Sequence, residues 1–315
     1  MKQFLLSFIK FVFPFLLLLL AIELYVLYYP STFNRKASYL HANIASTQML
    51  VLGSSHSQNA LNPEWLQLKT VNLANPSQDI QIDSALFFKY APLMKDLKML
   101  VLELDYFTLE EKNDAENFRL PWYKRFFGIE LYRVSLINQV SVYASSPSFF
   151  NQVLTDAVNP KKTRYNINQY GFILNDFPGV MKDKKFDSLA LAATAKERLK
   201  NTHTGISTAN LNFNKSKLNA MINYCLAHNI KVILLAHPMY ATYINNEVAE
   251  KNKRKVQYVD SLMAAVPTIR YFNYETDPRF SVHDFKNDDH LNSDGARKYT
   301  KIIDSLTAKQ MISGN

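Results

Sequence analysis

The 315-residue sequence contains a single cysteine, Cys225, and only seven glycines. One cysteine excludes a disulfide within the chain, and no cysteine and histidine residues stand at the spacing of a zinc site. We therefore expect neither a structural metal nor a cofactor. Hydrophobic residues make up 48% of the chain, which is enough for a sizeable core and excludes a mainly disordered protein.

Acidic residues are outnumbered, with 27 Asp and Glu against 36 Lys and Arg, so the net charge is +9. No known nucleic-acid-binding motif accompanies this excess, and nucleic acid is not an expected partner. The basic residues form either solvated helix faces or a surface that attracts anionic lipid headgroups or an acidic envelope glycan.

Charged residues are nearly absent between Phe4 and Tyr29, where only Lys10 and Glu23 occur. At about 1.5 Å per residue, a helix of this length spans a hydrocarbon core of roughly 30 Å. The segment does not end in the Ala-x-Ala pattern of a cleaved signal peptide. Residues 1–30 are therefore predicted to form an uncleaved signal anchor that makes membrane lipid a partner.

The orientation of this span is predicted from its flanking charges. Lys2, Lys10 and the terminal amine lie towards one end, and Arg35 and Lys36 follow the other. Positive residues favour the cytoplasmic side. We expect the amino terminus in the cytoplasm and the body outside the cytoplasmic membrane, in the periplasm or at the cell surface.

Beyond a polar connector, residues 31–46, short apolar runs alternate with stretches of helical periodicity. Residues 47–308 are predicted to form the main domain, with strands at "QMLVLG", "TVNLAN", "KMLVLELDYF", "KVILLAHP" and "TIRYFNY". Alternating strands and helices predict an α/β fold, a flavodoxin-like three-layer sandwich with a mostly parallel sheet. Residues 106–210, after the third strand, form a long insertion that is either a lid and substrate platform or additional packing.

One glycine, Gly53, is placed where the first strand ends, in "VLGSSHSQ". Glycine permits a tight turn from strand to helix. Ser54, Ser55 and His56 then lie at the carboxyl end of a strand, where open parallel sheets bind ligands, and the next helix begins with free N–H groups. This pattern indicates a nucleophile turn, although Gly-Ser-Ser alone is weak evidence because these are ordinary loop residues.

The second informative stretch is "FKNDDHLNSDGARKYT", residues 285–300, in which His290 follows Asn287, Asp288 and Asp289. A serine hydroxyl needs a base to remove its proton, and an imidazole base needs an acceptor at its other nitrogen. Ser55, His290 and a local acceptor meet both needs. Helix capping within a solvated acidic loop is the structural alternative, and a metal site is a third.

Together, "VLGSSHSQNALNP" and "DDHLNSDGA" resemble the blocks of the SGNH/GDSL hydrolase superfamily. The likeness is greatest to its membrane-anchored branch, related to the D-alanyl-lipoteichoic acid transfer proteins and the alginate O-acetylation proteins. It covers about residues 47–105 and 213–308. The resemblance implies that Ser55 is the nucleophile and His290 the base, that Asn287 or Asp288 orients the base, and that Ser55, Ala74 and Asn75 supply oxyanion donors.

The sequence departs from the superfamily pattern in three places. The second block has Ala74 and Ser77 where glycines are usual, although Ala74 still offers a backbone N–H. "ELDYF" replaces the Gly-x-Asn-Asp block, so the usual side-chain oxyanion donor is missing and Asn75 is a candidate substitute. Asn287 stands where the family has aspartate, and an amide stabilises an imidazolium less well than a carboxylate does.

The resemblance implies a membrane-anchored extracytoplasmic serine acyltransferase or esterase that acts on O-acyl groups of an envelope polysaccharide. A membrane-bound O-acyltransferase is then the expected donor-side partner. The alternative is a catalytically inactive scaffold that binds glycan or a partner protein. His56 and His237 are either structural or substrate-binding residues, and Trp122 in the insertion is expected to stack on a sugar with Tyr123 and Tyr170.

Overall fold

The computed structural model describes residues 1–112, 119–131, 136, 141–159, 166–175 and 180–312. The chain divides into two compact units. The first unit comprises residues 1–34 and 114–164, and the second comprises residues 35–113 and 165–315. The described helices are α1 Lys2–Tyr28, α2 Thr32–Asn43, α3 Ser55–Ala60, α4 Ile80–Tyr90, α5 Leu120–Phe127, α6 Val142–Ser145, α7 Pro147–Val158, α8 Val180–Asp183, α9 Ser188–Thr202, α10 Thr208–Ala227, α11 Ala241–Ile244, α12 Ala249–Ala265 and α13 Ser293–Ile312.

A parallel sheet organises the second unit. Its strands are β1 Met49–Leu52, β2 Thr70–Asn72, β3 Met99–Glu103, β4 Lys231–Ala236 and β5 Arg270–Asn273, in the spatial order β2-β1-β3-β4-β5. This is the flavodoxin order. β1 and β3 are buried along their whole length, which explains their continuous apolar sequences. The predicted fold class is confirmed.

Helix α13 covers one face of this sheet. Tyr299 and Ile303 pack in one apolar cluster with Val51, Val101 and Leu235 of three neighbouring strands. Because successive strand residues point to opposite faces, the alternate side chains of these strands point away from α13. Helix α10 packs against β4 and α4. A separate antiparallel hairpin, β6 Phe285–Asn287 and β7 His290–Leu291, leads into α13 and carries the predicted base to the sheet.

Helix α2 occupies most of the segment predicted to be a polar connector. Ala37 and Leu40 are buried, and so is Lys36, whose Nζ donates to the carbonyl oxygen of Ala74. Burial lowers the pKa of Lys36 to about 7. Most of the predicted connector, residues 31–46, is therefore an ordered helix with a buried apolar face.

The first unit contains α1, which is the one helix in the described ranges that is long and apolar enough to cross a membrane. Glu23 of α1 accepts hydrogen bonds from the Ser141 hydroxyl and from the backbone N–H groups of Val142 and Tyr143, at 2.8, 2.7 and 3.2 Å. Residues 141–143, at the start of α6, are thereby fixed to α1.

The predicted insertion, residues 106–210, does not form one body. Residues 114–164 belong to the first unit, and residues 106–113 and 165–210 belong to the second. In the second unit, Phe172, Met181 and Leu191 join the apolar cluster beneath α13, so this part supplies packing. Residues 113–118, 132–135, 137–140, 160–165 and 176–179 of the predicted lid lie outside the described residues.

Trp122 in α5 is buried within the first unit, at 6% exposure. Its ring lies 5.2 Å from the rings of Phe33 and of Phe150, and its Nε1 donates to the Ser145 hydroxyl. A ring enclosed in this way has no face for a sugar, which is at odds with the predicted substrate contact. Tyr123 is also buried, and the partly exposed Tyr170 lies edge-on to Tyr39 in the second unit.

Candidate active site

Gly53 forms the turn between β1 and α3, with a φ of +144° that side chains rarely adopt. A Cβ at this position would lie 2.6 Å from Cβ and Oε2 of Glu103 and 2.7 Å from the hydroxyl oxygen of Ser57. Both the backbone conformation and the space therefore require glycine. Glycine at position 53 therefore allows the Glu103 side chain to approach the turn closely.

Glu103, at the end of β3, holds this turn in place. One of its carboxyl oxygens accepts from the backbone N–H groups of Ser54 and Ser57, at 2.9 and 3.0 Å, and the other accepts from the Ser54 hydroxyl at 2.5 Å. Ser54 is also the N-cap of α3. The Ser54 hydroxyl is therefore part of the turn that presents Ser55.

Ser55 is the first residue of α3 and lies at the carboxyl edge of the sheet, beside the point where the strand order reverses between β1 and β3. Its hydroxyl oxygen lies 2.7 Å from Nε2 of His290. Ser55 is partly exposed, whereas His290 is buried. The predicted contact of nucleophile and base is present, with the serine on the accessible side.

The β6–β7 hairpin presents two oxygen atoms to the other imidazole nitrogen. Asn287 Oδ1 is hydrogen-bonded to His290 Nδ1 at 3.0 Å, and Asp289 Oδ1 lies 2.7 Å from the same nitrogen. Asp288 turns the other way and accepts from the Thr242 hydroxyl at 2.8 Å. Asn287 is placed as predicted, whereas Asp288 is not, since neighbouring residues of a tight turn point in different directions.

A buried set of polar side chains continues behind His290. His56 Nδ1 lies 2.6 Å from Asp105 Oδ2, and His56 Nε2 lies 3.5 Å from Asp289 Oδ2. On the far side of Asp105, its Oδ1 contacts Nδ1 of His237 at 3.1 Å, while His237 Nε2 lies 3.2 Å from the Ser57 hydroxyl. His56 and His237 are 3% and 2% exposed, so neither has a face for substrate.

The two histidines beside Ser55 have opposite electrostatic environments. Burial alone would lower the pKa of His56, but Asp105 and Asp289 raise it to about 10. Burial lowers the pKa of His290 to about 4, and this is opposed by Asp289 and reinforced by His56 and Lys286. These surroundings favour the imidazolium form of His56 and the neutral form of His290.

The carboxylate of Asp105 helps to raise the pKa of His56 above that of His290. Burial would raise the pKa of its carboxyl group, but the contacts with His237 and His56 hold that pKa well below its usual range. The carboxylate also accepts from the backbone N–H of His237 at 2.7 Å. An ionised carboxyl group can remain in the interior only with such partners.

The predicted oxyanion donors are only partly in place. The Ala74 N–H donates to Asn72 Oδ1 at 3.0 Å, so the prediction for Ala74 is wrong. Asn75 is fully buried and donates from its backbone to the Gly53 carbonyl and from its side chain to the Leu73 carbonyl. Within the described residues, the Ser55 N–H at the start of α3 has no such acceptor, and it is the remaining predicted donor.

Two buried groups of side chains have their polar atoms close enough to bind a metal ion. The groups are His56 with Asp289 and His290, and His56 with Glu103 and Asp105. In both, imidazole and carboxyl atoms already pair with one another or with the backbone at hydrogen-bond distances. These contacts account for the arrangement, and we assign no metal to it.

Sequence reasoning missed four functional neighbours, which are Asn72, Glu103, Asp105 and Asp289. Glu103 and Asp105 lie two residues apart at the end of a buried strand, in the "ELDYF" that replaces the usual block. Acidic residues at the carboxyl edge of a parallel sheet are themselves a sign of a site. Asn72 could have been found as a buried amide in the apolar strand "TVNL".

No protein-family model and no curated protein matches this chain. Similar solved structures include a Streptococcus pneumonia protein described as a platelet activating factor, at 12% identity and a TM-score of 0.42 over 94% of this chain and 98% of that one. A GDSL-like lipase from Bacteroides thetaiotaomicron has 9% identity and a TM-score of 0.40 over 89% of this chain and 100% of its own. The lipase/acylhydrolase from Enterococcus faecalis has 13% identity and a TM-score of 0.37 over 82% and 94%. Likeness this low carries no argument about activity, and the case for one rests on the side chains of the site.

Proposed function

We propose that this protein is a serine-dependent acyl-ester enzyme. The observation that carries the proposal is the 2.7 Å contact between the Ser55 hydroxyl and His290 Nε2 at the carboxyl edge of the sheet. Ser55 Oγ attacks the carbonyl carbon of an ester and passes its proton to His290. The bond from that carbon to the leaving oxygen breaks, and His290 returns the proton to the leaving oxygen.

The acyl group is then carried on Ser55. A carbohydrate hydroxyl or a water molecule attacks the carbonyl carbon of the acyl-serine and gives its proton to His290. The bond from that carbon to Ser55 Oγ breaks, and His290 returns the proton to Ser55 Oγ. Both halves require His290 in its neutral form. The pKa of His290, about 4, keeps this form populated throughout the neutral range, while the adjacent carboxyl group of Asp289 stabilises the imidazolium that forms in the reaction.

The substrate class is proposed on the chemistry of the chain as a whole. We assign the acyl groups to an envelope polysaccharide, either as acceptor or as substrate of deacylation, with a membrane-bound O-acyltransferase as the donor-side partner. Support comes from the apolar helix α1, the net charge of +9 and the resemblance of the Gly-Ser-Ser block to anchored acyl-transfer proteins.

The location follows from α1 as a membrane anchor with the body outside the cytoplasmic membrane. Lys36 is buried against Ala74, so it is not a charge at the membrane surface and Arg35 is left on that side. The balance of flanking charges supports the proposal that Lys2 and Lys10 lie in the cytoplasm.

The anchor predicts that the full-length protein is recovered with membranes after lysis and resists extraction by high salt. Added protease should digest the body in spheroplasts without entering the cytoplasm. A cytoplasmic marker protein that stays intact is the control for leakage. Recovery in the soluble fraction, or a body protected from protease until the cells are lysed, would contradict the proposed topology.

The nucleophile is tested by labelling with a fluorophosphonate probe. We expect the wild type to be labelled on Ser55 and the Ser55→Ala variant not to be labelled. Ser57→Ala is the matched control, because Ser57 also lies in α3 and contacts a histidine but is only 1% exposed. This control should be labelled like the wild type. A folded wild-type protein that is never labelled by the probe would contradict the proposed enzymatic function.

A scaffold without catalytic activity is the second candidate, and one observation favours it. The Ala74 N–H is occupied by Asn72, so fewer donors face a developing oxyanion than the resemblance implies. Such a protein would bind glycan or a partner through the same edge of the sheet. The labelling experiment separates the candidates, because a scaffold has no reason to keep Ser55 nucleophilic.

A further inference from the structure

The polar contacts of the base do not end at Asp289. Asp289 Oδ1 lies 2.7 Å from His290 Nδ1, and Oδ2 of the same carboxyl group lies 3.5 Å from His56 Nε2. His56 is in turn held by Asp105, at 2.6 Å through Nδ1. A carboxyl group that faces a histidine on each side is thus shared between the base and a second, deeper imidazole.

The ring of His56 is fixed in a single orientation. It stands nearly perpendicular to the ring of His290, with the ring centres 4.8 Å apart and an angle of 87°. Phe107 packs edge-on against its other side at 5.0 Å. The backbone N–H of His56 donates to the N-cap Ser54, so the residue is tied into the turn that also presents Ser55.

The structure assigns to His56 the role of a positioning residue for the base: held by Asp105, it binds the Asp289 carboxyl group on the side away from His290 and so limits how strongly that group favours the imidazolium form of His290. This inference deepens the proposed function and rests on it for its role in turnover. The arrangement itself concerns three buried side chains and is present whether or not an ester is cleaved. His56 immediately follows the nucleophile in the chain, so one turn supplies both residues.

The charges around His290 determine the sign of the expected effect. His290 faces Ser55 and His56 of α3, Asn287 and Lys286 of β6, and Asp289 of the hairpin turn. Asp289 favours the imidazolium form of His290, whereas the cations His56 and Lys286 oppose it. Removing the charge of His56 therefore makes His290 easier to protonate, and its titration moves to higher pH.

The experiment compares His290 in the wild type and in His56→Gln by histidine NMR titration. The midpoint of the His290 titration is expected to rise by about one pH unit or more, as for loss of a like charge within a few ångströms. The midpoint of the acid limb in the pH dependence of kcat/KM for a small acetyl ester should also move to higher pH. A purely structural role for His56 would lower the amount of folded protein without moving either midpoint.

His237→Gln is the matched control. His237 binds the same Asp105 carboxyl group, but its ring otherwise contacts Ser57 and the rings of His56 and Tyr299. Its replacement should leave the titration of His290 where it is in the wild type. An unmoved His290 in His56→Gln would overturn the inference, and so would an equal movement in both variants.

A measurement on the wild type covers the case in which His56→Gln does not fold. At pH 8, both ring nitrogens of His56 should carry protons while His290 is neutral. A neutral His56 at that pH would overturn the inference. Because NMR needs no turnover, a His290 that responds as expected in a protein without ester activity would retain the positioning role and reject the proposed function alone.

Discussion

The Ser55→Ala variant is expected to lose on the order of 10⁴-fold or more in kcat/KM towards a small acetyl ester, and His290→Ala should lose about as much. Alanine at 55 removes the oxygen that lies 2.7 Å from His290 Nε2, and alanine at 290 leaves that hydroxyl without a base. The measurement is the initial rate of hydrolysis by purified protein, with circular dichroism to establish folding.

The double variant distinguishes a working pair from two independent residues. Because nucleophile and base act in the same step, Ser55→Ala/His290→Ala should lose little beyond either single variant. Ser57→Ala, whose hydroxyl contacts His237, is expected to keep most of the activity. Activity that survives in both single variants would show that the ester is cleaved elsewhere, and the proposed mechanism would be wrong.

The second large effect is expected from Asp289→Asn, which should lower kcat by about 10²- to 10⁴-fold. Nδ1 of His290 contacts one amide oxygen, that of Asn287, and one carboxyl oxygen, that of Asp289. The substitution keeps the shape of the side chain and removes the negative charge that stabilises the imidazolium. The effect should appear in kcat with little change in KM, since Asp289 is buried away from substrate.

Asp288→Asn is the matched control for this prediction. The two residues are neighbours, carry the same group and are 0% and 1% exposed, but Asp288 accepts from Thr242. An asparagine oxygen can still accept that bond, so Asp288→Asn should retain near wild-type kcat. If the two variants lose activity equally, the hairpin is needed for folding only. If Asp288→Asn alone loses activity, the residue that orients the base has been assigned wrongly.

The fold could be predicted because the sheet is buried on both faces. Strands in this environment are continuous apolar runs, and "MLVL" and "MLVLE" are recognisable without any partner. The helix over Thr32–Asn43 was missed because its apolar face is narrow, with Ala37 and Leu40 beside the buried side chain of Lys36. A lysine amine that is dehydrated against a backbone carbonyl has no signature in the sequence.

The pairing of Ser55 and His290 could be predicted because both residues stand where elements end at one edge of the sheet. The contact of Asp289 with His290, in place of the predicted Asp288, could not be predicted, because it depends on how a two-residue turn directs its side chains. The Ala74 donor was assigned wrongly for a similar reason. An asparagine two residues before an N–H can accept from it, and Asn72 does so.

The contact between Lys36 and Ala74 determines where the body can be cut from its anchor. The amine of Lys36 reaches the carbonyl of Ala74, one residue before the loop that bonds back to Gly53. A truncated protein that begins at residue 47 would lack α2 and expose the surface that Ala37 and Leu40 cover. A soluble form for enzymology or crystallisation should therefore keep α2, so that any loss of activity can be attributed to the missing membrane and not to a disturbed loop beside the nucleophile.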